Sequence, residues 1–272
     1  MPHRSPFRYP GGKTWLIPRI RTWLASQSQR PELFIEPFTG GGIVGLTVAF
    51  EDLADRVLLV ELDENVAAVW LTMLSQDNNW LAERVLSFDL TEEHVLEELA
   101  APPKNTRERA FKTILKNRTF HGGILAAGSA PIRSGENGKG IRSRWYAETL
   151  ARRIRDIALV SNKIEFTCAD GIQIIERNSH QARAAIFIDP PYTAAGKKAG
   201  KRLYSHHFLD HERLFAVTHN CQGDFLMTYD NADDVVQMAE RHGFQTRTIA
   251  MKNTHHAVMK ELLIGRDVGW VS

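Results

Sequence analysis

Short apolar segments that alternate with helix-like segments constrain the fold of this chain more than any other feature. The segment 184–188 (Ala-Ala-Ile-Phe-Ile) is apolar at every position. A strand of this kind is buried on both faces, as in a parallel sheet with helices on either side. We therefore predict an α/β, doubly wound fold around a mostly parallel, seven-stranded sheet. The other six predicted strands are 33–36, 56–60, 163–168, 224–228, 244–251 and 261–264.

The alternation stops between about residues 75 and 160. This stretch is helical and basic at first and then rich in glycine between 122 and 140, which is typical of a long loop or hairpin. Loops of this length in compact proteins are usually functional. We predict that 76–160 is a helical and loop insert, and that 1–75 and 161–272 together form one α/β domain.

The charge of the chain is concentrated in one segment. Residues 101–165 contain fourteen Lys or Arg and five Asp or Glu, a net charge of +9, whereas the whole chain carries +2 and the remainder therefore −7. Such a basic segment in an otherwise acidic protein indicates a polyanionic partner such as nucleic acid. The alternative is a solvated helix face that is rich in basic residues.

The composition excludes several other classes of protein. No apolar run approaches the ~20 residues that a membrane span needs. Cys168 and Cys221 are far apart, which argues against a disulfide framework and a cysteine zinc site. The eleven histidines form no convincing metal site. The first residues include no apolar segment of signal-peptide length, so we expect a cytoplasmic protein. From the other observations we expect no metal and no membrane partner.

A glycine turn follows the first predicted strand, in the sequence Glu36-Pro-Phe-Thr-Gly-Gly-Gly42. Glycines let the backbone approach a ligand closely, and the helix that begins near Ile43 offers free N–H groups. Such a turn lies at the cofactor end of a doubly wound sheet, although many similar turns are only structural. Glu61 follows about twenty residues later, where a carboxylate can accept two hydrogen bonds from a ribose diol. The alternative is a surface acid in the first turn of a helix.

The tetrapeptide Asp189-Pro-Pro-Tyr192 follows the fully apolar strand. The strand delivers a carboxylate to the carboxyl edge of the sheet, and Pro190 and Pro191 make the loop rigid and remove two N–H donors. Rigid acceptors beside an aromatic ring suit a planar group that carries an exocyclic amine. The amine would donate to the Asp189 carboxylate and the Pro190 carbonyl, and Tyr192 would stack on the ring. The alternative is a strand that ends in a tight proline turn.

A further motif, Phe7-Arg-Tyr-Pro-Gly-Gly-Lys13, alone indicates only an N-terminal turn with an exposed lysine. However, the chain as a whole resembles the Dam-like, D12 class adenine-specific DNA N6-methyltransferases. The resemblance lies in three motifs in this order along the chain: 7–13, the FxGxG motif at 38–42 and the DPPY motif at 189–192. The basic insert between the last two motifs matches the order of the alpha group. The resemblance covers nearly the whole chain, and it implies a Rossmann-like methyltransferase sheet in a bacterial or phage protein.

Further segments are similar to the same family, with two departures. Residues 117–123 resemble its Arg-x-x-Phe-Asn-Gly segment, but His121 stands where the asparagine is usual, which affects the expected contacts with the target base. Residues 166–170 resemble its third cofactor motif, although Ala169-Asp170-Gly171 replaces the commoner Gly-Asp-Phe and keeps the carboxylate. Residues 260–264 resemble its closing strand.

The resemblance implies transfer of a methyl group from S-adenosylmethionine to the N6 amine of adenine in a specific double-stranded DNA sequence. Glu61 would bind the cofactor ribose and Asp170 its adenine amine, while Asp189 would contact both the methionine side of the pocket and the target amine. The expected catalytic residues are Asp189, Pro190, Pro191 and Tyr192. The expected cofactor-binding residues are Tyr9, Lys13, Phe38, Gly40, Gly42, Glu61, Asp170 and Asp189.

A base inside a duplex is out of reach, so the target adenine would have to be flipped out of the helix. Basic residues after the DPPY motif would hold the displaced phosphates, and arginines of the glycine-rich loop would read guanine edges. The resemblance also admits a cognate restriction endonuclease that acts separately. The expected DNA-binding residues are Arg118, Arg133, Arg142, Arg144, Arg152, Lys197 and Lys198.

Other functions compete with this one. The N4 amine of cytosine, adenine in RNA and a glutamine side chain are alternative methyl acceptors, but the aspartate before Pro-Pro-Tyr favours adenine by resemblance. The intact Asp189, Lys13 and glycine turn argue against a DNA-binding protein that has lost catalysis. The glycine spacing argues against a nicotinamide dehydrogenase on a similar sheet.

Overall fold

The computed structural model describes residues 3–8, 12–125, 128–135, 138–191, 209–252 and 258–271. They contain the strands β1 (Leu33–Glu36), β2 (Arg56–Glu61), β3 (Ile164–Cys168), β4 (Ala184–Ile188), β5 (Asp224–Asp230), β6 (Gln245–Lys252) and β7 (Val258–Gly265). The strands form one sheet in the order β3-β2-β1-β4-β5-β7-β6. Strands β1 to β5 are parallel, and β7 is antiparallel to both of its neighbours. The predicted α/β fold with a mostly parallel, seven-stranded sheet is confirmed.

The helices in the described residues are α1 (Ile17–Ser26), α2 (Ile43–Phe50), α3 (Glu64–Met73), α4 (Asn78–Ser87), α5 (Glu92–Ala100), α6 (Thr106–Thr119), α7 (Ala147–Ala158), α8 (Gly171–Arg177), α9 (His211–His219) and α10 (Asp233–Arg241). Helices α1 to α7 contribute to the hydrophobic cluster on one face of the sheet, and α8 to α10 to the cluster on the other. None of the helices described combines the length and apolar character needed to cross a membrane.

The central strand β4 shows why its sequence is apolar throughout. Ala185 and Phe187 belong to the cluster on one face, and Ile186 and Ile188 to the cluster on the other. Successive side chains of a strand point to opposite faces, so a strand covered on both sides has no position that suits a polar residue.

Helices α4 to α7 lie within the predicted insert and share one hydrophobic cluster with the sheet. Leu81, Val95, Phe111 and Leu150 belong to the same cluster as Phe34 of β1. The α5 and α6 helices begin at side-chain caps, since Thr91 and Asn105 accept N–H bonds of 3.1 and 3.0 Å from residues three positions later. The helical part of the insert therefore extends the core.

The loop between α6 and α7 is tied back to the end of α6. The N–H groups of His121 and Ile132 donate to the carbonyls of Ala130 and Thr119, at 3.0 and 2.8 Å. Phe120 and Pro131 form an isolated antiparallel bridge. This pairing gives the start of the glycine-rich segment a hairpin-like form, one of the two forms expected from its sequence.

Candidate active site

The carboxyl edge of the sheet brings together the ends of strands that are distant in the sequence. After β1 the chain turns toward β2 on one side of the sheet, while β4 leads to β5 on the other. Ligands of doubly wound proteins bind in the crevice that such a reversal of strand order opens. Glu36 ends β1 and Asp189 follows β4, so both carboxylates lie beside this crevice.

A buried lysine lies between two carboxylates at this edge. Lys13, which is only 4% exposed, places its Nζ 2.8 Å from Asp189 Oδ1 and 3.2 Å from Glu261 Oε1. Burial alone lowers the pKa of the Lys13 ammonium, but the two carboxylates outweigh burial and raise it above its ordinary value. Lys13 therefore remains charged, and it is not the exposed lysine that its motif alone suggests.

Strand β5 supplies a second donor to the same aspartate oxygen. The Thr228 hydroxyl donates to Asp189 Oδ1 at 2.8 Å. The next residue, Tyr229, is buried, and its hydroxyl lies 3.0 Å from His211 Nδ1. Burial, with a smaller effect of the nearby Asp189, raises the pKa of the Tyr229 hydroxyl far above its usual range, so that it stays protonated.

Glu36 is the most deeply buried acid beside the crevice. Its Oε2 accepts a 2.7 Å hydrogen bond from the N–H of Gly45, in the first turn of α2. Burial raises the pKa of Glu36 to about 8, the Gly45 bond opposes the shift, and the nearby Asp189 adds to it. The carboxyl is therefore mostly protonated at neutral pH. A Cβ at position 45 would lie 2.6 Å from Glu36 Oε2, so a larger residue there would require the Glu36 side chain to shift.

The glycine turn after β1 is held by the side chains of Thr39 and Trp70. Gly40 and Gly42 adopt positive φ angles of 47° and 60°, which favour glycine. The Thr39 hydroxyl donates to Glu36 O and accepts from Val60 N–H, both at 2.8 Å, and so joins the ends of β1 and β2. Trp70 Nε1 donates to Gly40 O at 3.0 Å. The turn is thereby fixed before any ligand binds.

Glu61 faces this turn from the end of β2. Its carboxylate accepts N–H bonds from Gly40, Leu62 and Asp63 at 2.9, 2.9 and 3.0 Å. Burial nevertheless raises the pKa of Glu61 above its ordinary value. Asp63, by contrast, caps α3 by accepting from Asn65 and Val66. Of the two acids, Glu61 is the one in contact with the glycine turn.

Asp170 follows β3 and caps α8, where its Oδ1 accepts the Ile172 N–H at 2.8 Å. Gly171, which departs from the family pattern, packs against the turn after β1. A Cβ at position 171 would lie 2.2 Å from Pro37 O and 3.1 Å from the Phe38 ring. The larger residue that the family commonly has at this position therefore does not fit here.

The donor and acceptor set of this edge fits S-adenosylmethionine. Glu61 and Asp170 place carboxylates after the neighbouring strands β2 and β3, as ribose hydroxyls and an adenine amine require. Gly40 and Gly42 give the backbone of the turn close access to a ligand. Asp189 lies at the same edge, toward β4, and the partly buried Phe38 ring lies close to Gly171.

Several residues expected in the site lie outside the described residues. They are Tyr9, Tyr192, Lys197 and Lys198. Pro190 and Pro191 are described, and they follow Asp189 as a buried and a half-buried residue. The expected stacking of an aromatic ring on the target base and the phosphate contacts after the DPPY motif stay predictions.

Arg118 is in a position unlike the one expected of a DNA contact. It is only 5% exposed, and its Nε donates to the Pro6 carbonyl at 2.8 Å. The neighbouring Asn117 bonds both backbone groups of Arg8 at 2.8 Å. Burial, with smaller effects of nearby arginines, lowers the pKa of the Arg118 guanidinium below its ordinary value. In this structure the pair anchors the N-terminal segment to α6, because the buried guanidinium requires a hydrogen-bond acceptor.

The other arginines expected at DNA differ in exposure. Arg133, Arg142 and Arg152 are exposed, and Arg144 is half-buried. Arg153, on the same helix as Arg152, donates to the Ser5 carbonyl at 3.1 Å and adds to the anchor of the N-terminal segment.

At least five of the fourteen basic residues in the basic segment 101–165 pair with acids that precede it in the chain. The pairs are Arg107–Asp77, Arg109–Glu64, Lys112–Glu98, Arg155–Glu83 and Lys163–Asp52. The surplus of +9 in the sequence therefore overstates the positive field of the folded segment. Within the described part of the chain, no ion pair involves Arg133, Arg142 or Arg152.

Three polar residues at this edge of the sheet were not expected from the sequence: Glu36, Thr228 and Glu261. A weak signal exists for two of them, because Glu261 and Thr228 are polar residues beside apolar runs in predicted strands. Buried polar groups in such positions need partners. The partners are distant in the chain, because Thr228 donates to Asp189 and Glu261 pairs with Lys13, more than 200 residues away.

Comparison with known proteins identifies a family. A sequence model of the D12 class N6 adenine-specific DNA methyltransferases matches residues 9–252. No curated protein matches this chain. Two similar solved structures are also methyltransferases by their descriptions. One is yhhF from Escherichia coli, with 10% identity and a TM-score of 0.41 over 96% of this chain and 90% of that chain. The other is precorrin-6y C5,15-methyltransferase from Geobacter metallireducens GS-15, with 8% identity and a TM-score of 0.38 over 94% of this chain and 92% of that chain.

Proposed function

Because this chain belongs to the D12 class N6 adenine-specific DNA methyltransferases, we propose that it is a Dam-like, alpha-group enzyme. It transfers a methyl group from S-adenosylmethionine to the N6 amine of adenine in a specific double-stranded DNA sequence. The family itself carries the adenine-N6 activity on DNA and implies a methyl donor of the S-adenosylmethionine type. The duplex substrate, its sequence specificity and the roles of individual residues are the proposal.

The observation that carries the proposal is the setting of Asp189. Its Oδ1 accepts hydrogen bonds from Lys13 and Thr228, both at 2.8 Å, at the crevice where the strand order reverses. Two donors from different elements hold one carboxylate, and Pro190 and Pro191 follow it directly. A carboxylate fixed in this way supports preorganised electrostatic catalysis.

The chemistry needs a fixed acceptor because the N6 lone pair of adenine is conjugated with its ring and is a poor nucleophile. The two N–H groups of the amine would donate to the Asp189 carboxylate and the Pro190 carbonyl. These bonds favour a pyramidal nitrogen and stabilise the positive charge that develops on it. When bound, S-adenosylmethionine would supply the electrophilic methyl group. Asp189 and Pro190 would hold the amine while its nitrogen takes up this group and gives up one proton to solvent.

The cofactor would be held along the carboxyl edge. Glu61 would accept from the ribose diol while its N–H bonds keep it against the glycine turn. Asp170 would accept from the adenine amine, and Gly40, Gly42 and Phe38 would line the floor of the pocket. Lys13 is assigned to Asp189 rather than to the cofactor, since its ammonium contacts the carboxylates of Asp189 and Glu261.

DNA would be bound from the side of the insert. Arg133, Arg142 and Arg144 lie between α6 and α7, where they could reach base edges, and Arg152 is exposed on α7. The target adenine would be flipped into the crevice, with Tyr192 stacked on it and Lys197 and Lys198 on the displaced phosphates. Arg118 is left out of this set because it is buried against Pro6.

The test is methyl transfer by the purified chain. Genomic DNA free of modified adenine is incubated with S-adenosylmethionine carrying a labelled methyl group, and its nucleosides are then separated by mass spectrometry. We expect label in N6-methyladenine and in no cytosine product, and single-molecule sequencing should place it in one short motif. Label in N4-methylcytosine, in parallel RNA or in protein samples, or in no product, would contradict the proposal.

A further inference from the structure

Glu261 is a buried acid to which the proposed function gives no role of its own in methyl transfer. It lies in β7, with its Cα opposite that of Asp230 in the neighbouring β5, and it is 5% exposed. Its Oε1 is 3.2 Å from Lys13 Nζ. Leu262, Leu263 and Ile264 follow it in the core. A carboxylate in such surroundings destabilises the fold unless it is paired, so its contact with Lys13 needs a reason.

The contact limits where the Lys13 ammonium can lie. Lys13 is only 4% exposed, so water cannot take the place of protein partners around it. An ammonium on a flexible four-carbon side chain has several orientations in which it could contact Asp189 alone. Glu261 on β7 is a second partner, and it holds the ammonium at one place between the two carboxylates.

The position of the Asp189 carboxylate is limited in turn. Lys13 and Thr228 both donate to its Oδ1, from the N-terminal segment and from β5. Two donors that converge on one oxygen from different directions fix the plane of the carboxylate. Orientation of this kind matters for catalysis because misplacement of a reacting group by about 1 Å can reduce a rate ~10²-fold.

We propose that Glu261 and Thr228 are positioning residues for methyl transfer. Glu261 holds the Lys13 ammonium against Asp189, and Thr228 holds the same carboxylate oxygen from β5. This inference rests on the proposed function. Neither residue needs to touch DNA or cofactor, and both act through Asp189.

Charge gives Glu261 a second effect. An ammonium close to the reacting amine would by itself oppose the positive charge that develops there. Among the described residues, two carboxylates lie around one ammonium, so these three groups together contribute one net negative charge, which favours that developing charge. If Glu261 is replaced, Lys13 and Asp189 form a pair with no net charge.

The first test is Glu261→Gln, which keeps the size of the side chain and removes its charge. We expect kcat for DNA methylation to fall ~10-fold or more, while the dissociation constants of S-adenosylmethionine and DNA stay within about twofold. The matched control is Lys260→Ala, since Lys260 is the exposed neighbour on the same strand. The control should keep the wild-type kcat.

The pH profile distinguishes positioning from a merely structural role. In the wild type, Asp189 and Glu261 raise the pKa of Lys13. In Glu261→Gln the effect of burial is less opposed, so Lys13 should lose its proton at lower pH. The decline of kcat on the alkaline side should therefore begin at lower pH than in the wild type and in Lys260→Ala. Because a less stable variant also unfolds at lower alkaline pH, circular dichroism at each pH separates unfolding from loss of the Lys13 proton.

A second pair of variants keeps the inference testable if Glu261→Gln does not fold. Thr228→Val removes the hydroxyl at nearly constant volume and should lower kcat ~10-fold, whereas Thr228→Ser should restore it. A wild-type kcat and pH profile in Glu261→Gln, or equal rates in the two Thr228 variants, would overturn the inference and leave the proposed function standing. A wild-type chain that methylates no adenine would overturn both.

Discussion

The carboxyl edge of the sheet and the basic segment 101–165 both contain clusters of charged residues. The two regions differ in how far these residues are buried and in how they are paired. At the edge, the charged groups are buried or half-buried, and Lys13 has a carboxylate on either side. In the basic segment the charges are numerous and mostly on the surface, and at least five of them pair with acids from residues 52–98. A buried charge is strongly destabilising without a partner, whereas an exposed pair contributes ~0–1 kcal/mol. We therefore expect large, geometry-dependent effects at the edge and small, salt-dependent effects in the segment.

The largest effect is expected for Asp189→Ala. Loss of the fixed acceptor should lower kcat by at least ~10²-fold, as removal of a transition-state hydrogen bond does. The fold should persist because Lys13 keeps Glu261 as its partner. Single-turnover methylation of saturating DNA measures the rate, and Asp233→Ala on the exposed start of α10 is the control. A rate within a few-fold of wild type would remove Asp189 from the catalytic set.

The next effect concerns the cofactor. Glu61→Ala should weaken S-adenosylmethionine binding by ~1–3 kcal/mol, through loss of a charge-assisted contact. Calorimetric titration measures the affinity, and Glu64→Ala tests the exposed acid three positions later. Because Glu61 also holds the Gly40 N–H, Glu61→Gln shows how much of the loss belongs to the charge. Unchanged affinity in Glu61→Ala would place the ribose contact elsewhere.

Sequence specificity should depend on the loop of the insert. At least one of Arg133, Arg142 and Arg144 should read a base, so that its alanine variant loses ~1–3 kcal/mol only against the correct site and relaxes the preference there. Methylation across a randomised DNA library measures this. If all three variants lost activity uniformly over all sequences, the specificity would have to come from another segment, with 117–123 the next to test.

The buried Glu36 predicts a pH effect on stability. Its pKa in the folded chain, about 8, is above the ordinary value of 4.5, so between these values the folded state holds a proton that the unfolded state has lost. Below pH 4.5 the protonated Glu36 makes its complete contribution to the free energy of unfolding. As the pH rises from there toward 8, this contribution declines by ~1.4 kcal/mol per pH unit. Urea unfolding at pH 5.5 and 7.5 should show this decline in the wild type and a weaker one in Glu36→Gln. Parallel pH dependences would show that Glu36 is ionised in the folded state.

The smallest effect is expected from a single exposed arginine. Arg152→Ala should weaken binding to all DNA sequences alike and flatten the salt dependence by about one unit of slope, as loss of one phosphate contact does. Arg107→Ala is the matched control, because the Arg107 guanidinium already lies 3.1 Å from Asp77. Binding titrations over a range of salt concentrations measure both slopes. Equal slopes in the two variants would contradict the division of the basic segment into paired and DNA-facing residues.

Much of the fold could be predicted because its signals are local. The apolar run 184–188, the glycine turn after 33–36 and the acid at the end of 56–60 each indicate a strand and the place where it ends. The structure has strands at all seven predicted places, and their bounds differ by only a few residues. Parallel strands place their carboxyl ends at one edge, so the sequence also indicated which residues could meet there.

The partners of buried charges could not be predicted in the same way. The sequence by itself determined that Asp189 follows a buried strand, that Glu61 follows another and that a basic insert separates them. Only the tertiary structure decided that Lys13 lies between Asp189 and Glu261, and that Arg118 is buried against Pro6 rather than exposed to DNA. The physical reason is that a buried ion requires a partner within hydrogen-bond distance, but nothing in the local sequence says which distant residue supplies it.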